Sequence, residues 1–325
     1  MDELSSESPE VSVVVSVYND ERFLAQALGS ILSQTGITLE LIVVNDGSTD
    51  QSLQIIEELA VADARLRVIN QPNSGLTAAL IRGCAEARGK YIARQDADDI
   101  SSPERLTRQH SLLESNASLS FVSCWSNVIG LRNEIVMTHK RPSGPKAAKD
   151  LFVAGREGPP GHGSVMFRRS SYEKVGGYRP EFYFAQDNDL WFRLIEVGDL
   201  DYVPEVLYSY RISPDSISGA RHAIKLEYAQ LVDDCRAARA RGESETELLK
   251  VGHELRSRSS EQTPSSQADT NYFLGRNLIL TSPGNAIPYL WASLRIRPWH
   301  LKTWTCLTCA LLLLPLPFRS GWRKN

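Results

Sequence analysis

The sequence predicts an α/β protein: a mostly parallel sheet flanked by helices, with a helical C-terminal extension. Three observations carry this. Over the first hundred residues, β-branched runs alternate with segments of helical apolar spacing, the pattern of β-α units feeding a parallel sheet. The first strand segment is apolar nearly throughout, as expected of a strand covered on both faces. Beyond Arg221 the strand signals stop and helical periodicity takes over.

The elements follow in order. Val11 to Val17, V-S-V-V-V-S-V, reads as a buried strand, and Glu21 to Ser33 as a helix with Phe23, Leu24, Ala27, Leu28, Ile31 and Leu32 on one face. Leu39 to Val44 is a second strand, ended by N-D-G-S-T-D, which is turn chemistry running into a helix start. A helix over Gln51 to Ala62, a strand over Leu66 to Ile69, a helix from N-S-G at 73–75 to about Arg88 and a strand over Tyr91 to Arg94 complete the alternation. Then come a helix from Pro103 to about Ser115, a strand over Leu119 to Trp125, a Gly/Pro-rich loop from Gly155 to Gly163, and a short strand over Ser164 to Phe167. Leu190 to Val197 reads as a helix and Val206 to Tyr210 as a strand. His222 to Arg241, Glu245 to Arg258, Asn271 to Leu280 and Ala286 to Leu294 read as helices, with a Ser/Gln-rich linker over Ser257 to Gln267.

Composition narrows the function. Of 325 residues 42% are hydrophobic and 23% charged, which excludes a disordered chain, a collagen or a coiled coil. Five cysteines, whose one close pair (Cys306 and Cys309) lies in an apolar run, argue against a zinc site or disulfide framework and for a reducing, cytoplasmic setting. The acidic N-terminus lacks the apolar core of a signal peptide. The net charge of −3 hides an asymmetry: no acidic residue follows Asp269, whereas seven basic ones do. The acidic body does not suggest a nucleic-acid binder. The basic tail also holds Trp291, Trp299, Trp304 and Trp322, the composition of a membrane-surface anchor. Its longest apolar stretch, Cys306 to Phe318, is broken by Pro315 and Pro317 and falls short of the ~20 residues a spanning helix needs.

The segment Arg94-Gln95-Asp96-Ala97-Asp98-Asp99 is the most informative. Three carboxylates crowd the C-terminal end of a strand, the edge where parallel α/β sheets bind ligands. Like charges so close are tolerable mainly with a cation among them, and Mg²⁺ or Mn²⁺ commonly bridges carboxylates to a ligand's phosphates. A solvated acidic turn capping the next helix is the bland alternative. Asp46, at the same edge after the second strand, is placed to accept hydrogen bonds from a base or ribose, whereas Asp50 suits a helix cap.

V-S-V-V-V-S-V-Y-N, E-L-I-V-V-N-D-G-S-T-D, Q-P-N-S-G-L-T-A-A and G-K-Y-I-A-R-Q-D-A-D-D, in this order, resemble the family 2 glycosyltransferases with a GT-A fold, over about residues 9–218. The resemblance implies sugar transfer from a nucleotide-diphosphate sugar, with a divalent metal and inversion at the anomeric carbon. It implies that Val17, Tyr18, Asn19 and Asp46 line the nucleotide pocket, that Asp96 faces the nucleotide, and that Asp98 ligates Mn²⁺ or Mg²⁺. A-Q-D-N-D-L-W at 185–191 is similar to the family's late motif, which makes Asp187 the general base; Gln186 stands where Glu is usual. The alternative is that Gln186, Asp187 and Asp189 cap the following helix, a role that suits Asp189 better. G-H-G-S-V-M-F-R-R at 161–169 resembles the strand before the base, so His162 could touch acceptor or donor. In Y-S-Y-R-I-S-P-D-S-I-S at 208–218, Ser213 stands where His is frequent, while Arg211 could reach a phosphate.

These readings divide the chain into a flexible N-terminus (1–8), a GT-A catalytic domain (9–219) and a helical region with a basic, aromatic, apolar tail (220–325). With the resemblance they imply a glycosyltransferase of cell-surface polysaccharide biosynthesis, with a UDP-sugar as the donor expected on family grounds and a glycan or lipid-linked acceptor, peripheral on the inner face of a membrane. In the tail, Leu301, Trp304, Leu307 and Leu311 repeat at spacings of three and four; a face packed on protein, or a homodimer seam, is the rival to membrane binding. A nucleotidyltransferase is disfavoured because V-Y-N-D-E-R replaces a basic Gly-rich loop, and a dehydrogenase because G-x-G-x-x-G is absent. An inactive nucleotide-sugar-binding scaffold is disfavoured by Asp46, Asp96, Asp98 and Asp187.

Overall fold

The computed structural model describes residues 8–154, 160–214, 222–257 and 264–314. Among them is one nine-stranded sheet. Its parallel part comprises β1 (Val11–Val17), β2 (Leu39–Asn45), β3 (Leu66–Asn70) and β4 (Tyr91–Asp96), in the spatial order β3-β2-β1-β4. The order continues through β8 (Met166–Arg168), β6 (Leu119–Ile129), β9 (Asp199–Arg211) and β5 (Ile100–Ser101), with β7 (Ile135–His139) on β6. The pairs β4–β8, β6–β8 and β5–β9 are antiparallel, so the parallel character belongs to the first half of the sheet.

The valine run of β1 explains its central position. Val11, Val13, Val15 and Val17 face a core shared with α1 (Leu24–Leu32), α2 (Ser52–Ala62) and α4 (Arg105–Ser115). Val14 faces the opposite core, formed with α3 (Leu76–Ala85), α5 (Pro145–Val153) and α7 (Gln186–Val197). Each fully buried Val or Leu contributes about 1.5–3 kcal/mol, and alternation sends that gain to both faces. A short helix, α6 (Arg169–Lys174), follows β8.

Four elements are absent from the sequence expectation, and β6 (to Ile129), β9 (from Asp199) and α7 extend beyond it. β5, β7, α5 and α6 are short and lack a clear apolar period. α7 starts at Gln186, four residues early, because Ala185 takes a left-handed conformation (φ 56°) that ends the preceding turn.

By contacts the described chain forms two compact units: 8–127, 138–210 and 223–257 in the first, 128–137, 211–214, 222 and 264–314 in the second. In the first, α8 (His222–Ala240) and α9 (Thr246–Ser257) pack Ile224, Tyr228, Leu231, Val232 and Leu255 around Phe182 and Phe184. These two helices thus belong with the sheet, although composition suggests a boundary near 219.

The second unit includes α10 (Pro264–Leu278), α11 (Pro283–Ile296) and α12 (Leu301–Leu312). α10 begins inside the expected linker, with Pro264 as its first residue, a position where the missing N–H costs nothing. Ser293 donates to the Ala268 carbonyl (2.9 Å), and the Tyr289 hydroxyl bridges Glu134 (2.6 Å) and the Leu131 N–H (2.7 Å). No helix among the described residues is long and apolar enough to cross a membrane. Residues 1–7, 155–159, 215–221, 258–263 and 315–325, which hold part of the expected Gly/Pro-rich loop and linker, Trp322 and the basic residues Arg319, Arg323 and Lys324, lie outside the described residues.

Candidate active site

The strand order places neighbours on opposite sides of β1, with β2 on one side and β4 on the other. That reversal opens a crevice at the C-terminal edge, where open α/β sheets bind ligands. In register, Ser16 lies beside Asp96 and Val17 beside Asn45. Val17 is buried, whereas Tyr18 is 47% exposed at the strand end, free to offer its ring to a flat ligand.

The next residues fasten two loops together. Asn19 takes a left-handed φ of 56°, and its Oδ1 accepts from the Thr49 N–H (2.8 Å). Asp50 accepts from the Glu21 and Ser52 N–H groups (3.1 and 2.9 Å), and Glu21 accepts from the Gln51 N–H (2.9 Å). Asp50 therefore holds the start of α2 as the sequence suggests. Asp46 is 2% exposed and accepts from Gln71 Nε2 (2.7 Å), Ser74 N (2.9 Å) and Gly75 N (2.8 Å). Its carboxylate anchors the β3–α3 loop, so a ligand would meet Asp46 through a pocket wall that it already organises.

Below the crevice lies a buried arginine that the sequence motif contains but its chemistry does not single out. Arg94 Nη2 donates to Asp96 Oδ1 (2.6 Å), and Nη1 to the carbonyls of Val14 and Gln95 (2.6 and 2.9 Å). Its Nε reaches His162 Nε2 at 3.4 Å, and the same nitrogen is 2.7 Å from the Tyr178 hydroxyl. Burial and the Arg94 cation hold His162 well below its ordinary pKa, so the ring is neutral. With Nε2 accepting, its proton sits on Nδ1. His162 is thus close to the crevice floor, on a short 3-10 turn over His162–Ser164.

A second buried arginine, Arg105, donates to the Gly163 and Arg94 carbonyls (2.9 and 3.0 Å). Tyr208 donates to Asp99 Oδ2 (2.6 Å) and accepts from the Asp96 N–H (3.3 Å). A Cβ on Gly163 would stand 1.8 Å from the Tyr208 oxygen and 2.9 Å from Asp96 Oδ2, so only glycine lets this turn approach the acidic edge. Asp99 is fully buried, whereas Asp96, at the end of β4, and Asp98, two residues on, are half-buried. The acidic crowd is therefore offset partly by the protein's own cations, a compensation that reading the carboxylates alone misses.

Asp187 lies in the first turn of α7 and accepts from the Asn188 N–H (2.9 Å). Burial pushes its carboxyl above the ordinary value and Asp96 adds to this, while the Asn188 and Asp187 N–H groups and Arg94 oppose it. Asp187 and Asp96 are thus within one electrostatic neighbourhood. Asp20, on the loop after β1, is pushed up to about 6, first by burial and then by Asp50 and Asp96. Gln186 is buried at the helix start. Asp189 does not cap the helix: it is 1% exposed, bonds Arg193 (2.6 and 3.1 Å) and pairs with Arg179.

Arg211 lies in the second unit, buried, donating to the Gly130 carbonyl (2.8 Å) and Asn133 Oδ1 (2.7 Å). The structure brings Tyr18, Asp96, Asp98, His162 and Asp187 to one edge of the first unit. Sequence reasoning missed Arg94, Arg105, Tyr178, Tyr208 and Asp20 as members of the site. One signal was present: a charged residue, Arg94, within an otherwise apolar strand.

A mostly parallel half-sheet with acidic residues at its switch point defines an α/β fold of the nucleotide-binding type. The family described as Glycosyl transferase family 2 matches residues 12–176, and the chain belongs to that family. EpsE of Bacillus subtilis (strain 168), a glycosyltransferase by name, is 35% identical over 232 residues, covering 69% of this chain and 81% of the relative. Chondroitin synthase of Pasteurella multocida (strain Pm70) is 24% identical over 65% of this chain, but only 21% of that much longer protein. Among solved structures, S. aureus TarS in complex with UDP-GlcNAc covers 93% of this chain and 89% of its own, with a TM-score of 0.58 and 16% identity. The mannosyltransferase PcManGT from Pyrobaculum calidifontis, in complex with GDP-Man and Mn²⁺, has a TM-score of 0.52 at 17% identity, covering 94% and 87%. These neighbours are GT-A glycosyltransferases, and the likeness establishes the fold. The protein is a glycosyltransferase.

Proposed function

We propose that this glycosyltransferase inverts the anomeric centre while moving a sugar from a nucleotide-diphosphate donor, first a UDP-sugar, to a hydroxyl of a glycan or lipid-linked acceptor. One observation carries the reading: buried Arg94 ties Asp96 at the end of β4 to His162 on the following 3-10 turn, with Asp187 on α7 in the same electrostatic neighbourhood. The donor nucleotide is bound between Val17, Tyr18 and Asn19 on one side and the loop anchored by Asp46 on the other, with Asp96 toward the sugar-phosphate. The UDP-GlcNAc in TarS and the GDP-Man in PcManGT support a donor of this class.

A divalent cation fits this edge. Among the described residues no three His, Cys, Asp or Glu side chains cluster as a closed metal site. The donor set is instead an open one, with the half-buried Asp98 and Asp96 offering hard oxygens. Mg²⁺ and Mn²⁺ suit such a set, because one or two carboxylates and the substrate's phosphates share the coordination. Asp98 would hold the ion, which would supply counter-charge for the diphosphate leaving group. Mn²⁺ in PcManGT supports the choice.

Asp187 takes the proton of the acceptor hydroxyl as its oxygen attacks. Attack from the face opposite the diphosphate inverts the centre, through an oxocarbenium-like transition state. The raised pKa of Asp187 makes it a stronger base than an ordinary carboxylate. His162, neutral and fixed by Arg94 and Tyr178, offers a polar edge to acceptor or donor. The enzyme works as a peripheral protein on the inner face of a membrane. The test is release of nucleoside diphosphate from a panel of UDP-, GDP- and dTDP-sugars with Mn²⁺ or with EDTA. Release from none of them would overturn the reading.

A further inference from the structure

We infer that the outer face of α11 and α12 is a docking surface for an anionic lipid bilayer. This rests on the membrane placement proposed above and assigns it to named side chains. α12 packs inward through Thr303, Leu307 and Ala310. The sequence spacing groups Leu307 with Leu301, Trp304 and Leu311, but the structure separates them. Leu307 is buried, whereas Leu301 is 78% exposed, Trp304 42%, and Leu311 and Leu312 50% and 79%.

At 100° per residue, Leu301, Trp304, Thr305, Thr308, Leu311 and Leu312 form one stripe about 120° wide, opposite the packed face. A helix whose outward stripe is as apolar as its inward one has a second surface to cover. The stripe continues onto α11: the Trp291 and Trp304 rings meet edge to face at 5.8 Å, and Trp291 is itself exposed. Trp299, in the turn between the helices, is 91% exposed. Three tryptophans beside a leucine stripe match the interfacial zone of a bilayer, where indole rings sit at headgroup depth.

Charge selects an anionic lipid surface over a second copy of the chain. Arg295 follows Trp291 by one helical turn, and Lys302 flanks the α12 stripe; both are exposed. The last acidic residue, Asp269, is bonded to Arg297 (2.6 Å), and every charged residue beyond it is basic. A copy docking the same face would bring its own Arg295 and Lys302 against these, whereas acidic headgroups would neutralise both sets.

Full-length protein is floated with vesicles of phosphatidylcholine alone and of phosphatidylcholine with phosphatidylglycerol, at low and high salt. We expect flotation with the phosphatidylglycerol vesicles at low salt, weakened at high salt, and none with phosphatidylcholine alone. Leu301→Ser with Leu312→Ser alters only exposed positions and should return the protein to the soluble fraction. Arg295→Glu with Lys302→Glu should lower partitioning at least about 30-fold, from the contribution of two basic residues at an anionic surface. Wild type left in the soluble fraction at low salt would overturn the membrane placement itself. Wild type and both variants floating alike would overturn this surface alone. A wild-type dimer that the leucine variant dissociates, without flotation, would assign the face to self-association and also overturn it. Diphosphate release from nucleotide sugars, measured without vesicles, reports separately on the transferase reading.

Discussion

Asp187 and Asp189 stand two positions apart in the first turn of α7 and have opposite surroundings. Asp189 is enclosed by Arg179 and Arg193, whereas Asp187 is backed by a helix start and faces Asp96. Asp187→Asn keeps the shape and removes the base. Turnover is expected to fall by about 10²–10⁴-fold with donor affinity retained, checked by steady-state kinetics beside donor titration. Loss of donor affinity instead would move Asp187 to the donor site. Because Asp187 must be ionised to accept a proton and its pKa is raised, the acid limb of kcat should lie above the ordinary carboxylate range. Activity should be lost as pH falls through that limb.

Asp20 offers a second test, on stability. Its folded pKa of about 6 exceeds the unfolded value of 3.8. The native state therefore favours the protonated form, and the charged carboxylate becomes a liability as pH rises through that window. Asp20→Asn should raise the melting temperature at pH 7, and raise it less at pH 5, where wild-type Asp20 is already mostly protonated. An equal gain at both values would show that the carboxyl is not shifted.

At the scale of elements, α7 is held by its ion triad and not by a cap. Breaking a buried pair by removing one partner typically costs about 3–5 kcal/mol, because the other charge is left uncompensated. Asp189→Ala should therefore lower the free energy of unfolding by about that much in urea titrations. Asp187→Asn, at a half-buried position, should change it little. A stable Asp189→Ala protein would mean that Arg179 satisfies itself through Glu245, to which it is also paired at 3.1 Å. The 3-10 turn over His162–Ser164 depends on a different element-level condition, the missing Cβ of Gly163 against Tyr208 and Asp96. There the backbone, not a side chain, sets how close the wall stands to the acidic edge.

At the scale of the whole molecule, donor binding should stabilise the fold by mass action. With donor and Mn²⁺ present at about 100 times the dissociation constant, the native state gains about 2.7 kcal/mol, seen as a rise in melting temperature. Asp98→Asn, or excess EDTA with wild type, should abolish that rise and reduce transfer by orders of magnitude. A full thermal shift in EDTA would remove the metal from the donor site. The paired carboxylates act in the opposite sense to Asp20. Glu114, held down to about 2 by Lys90 and Tyr91, and Glu40, bonded by Ser12, Arg88 and Arg67, lie below their ordinary values despite the opposing burial of Glu40. Their contribution is present above the unfolded value of 4.5 and is lost as pH falls toward the folded one.

The parallel half of the sheet, the family and the acidic edge are legible in the amino-acid sequence. Valine alternation, turn chemistry after β2 and the D-A-D-D run are local patterns, and local patterns survive without knowledge of distant contacts. Through resemblance the sequence also named Asp187 as the candidate general base. Only the tertiary structure decided what compensates the carboxylates, because Arg94 and Arg105 reach carbonyls and acids far away in sequence and no spacing rule encodes that reach. It decided likewise that Asp46 braces a loop, that Asp189 is an ion-pair centre, and that Leu307 turns inward while Trp304 and Leu312 remain outside. Helical periodicity states which residues share a face; which face finds a partner depends on how α10 and α11 fill the space beside it.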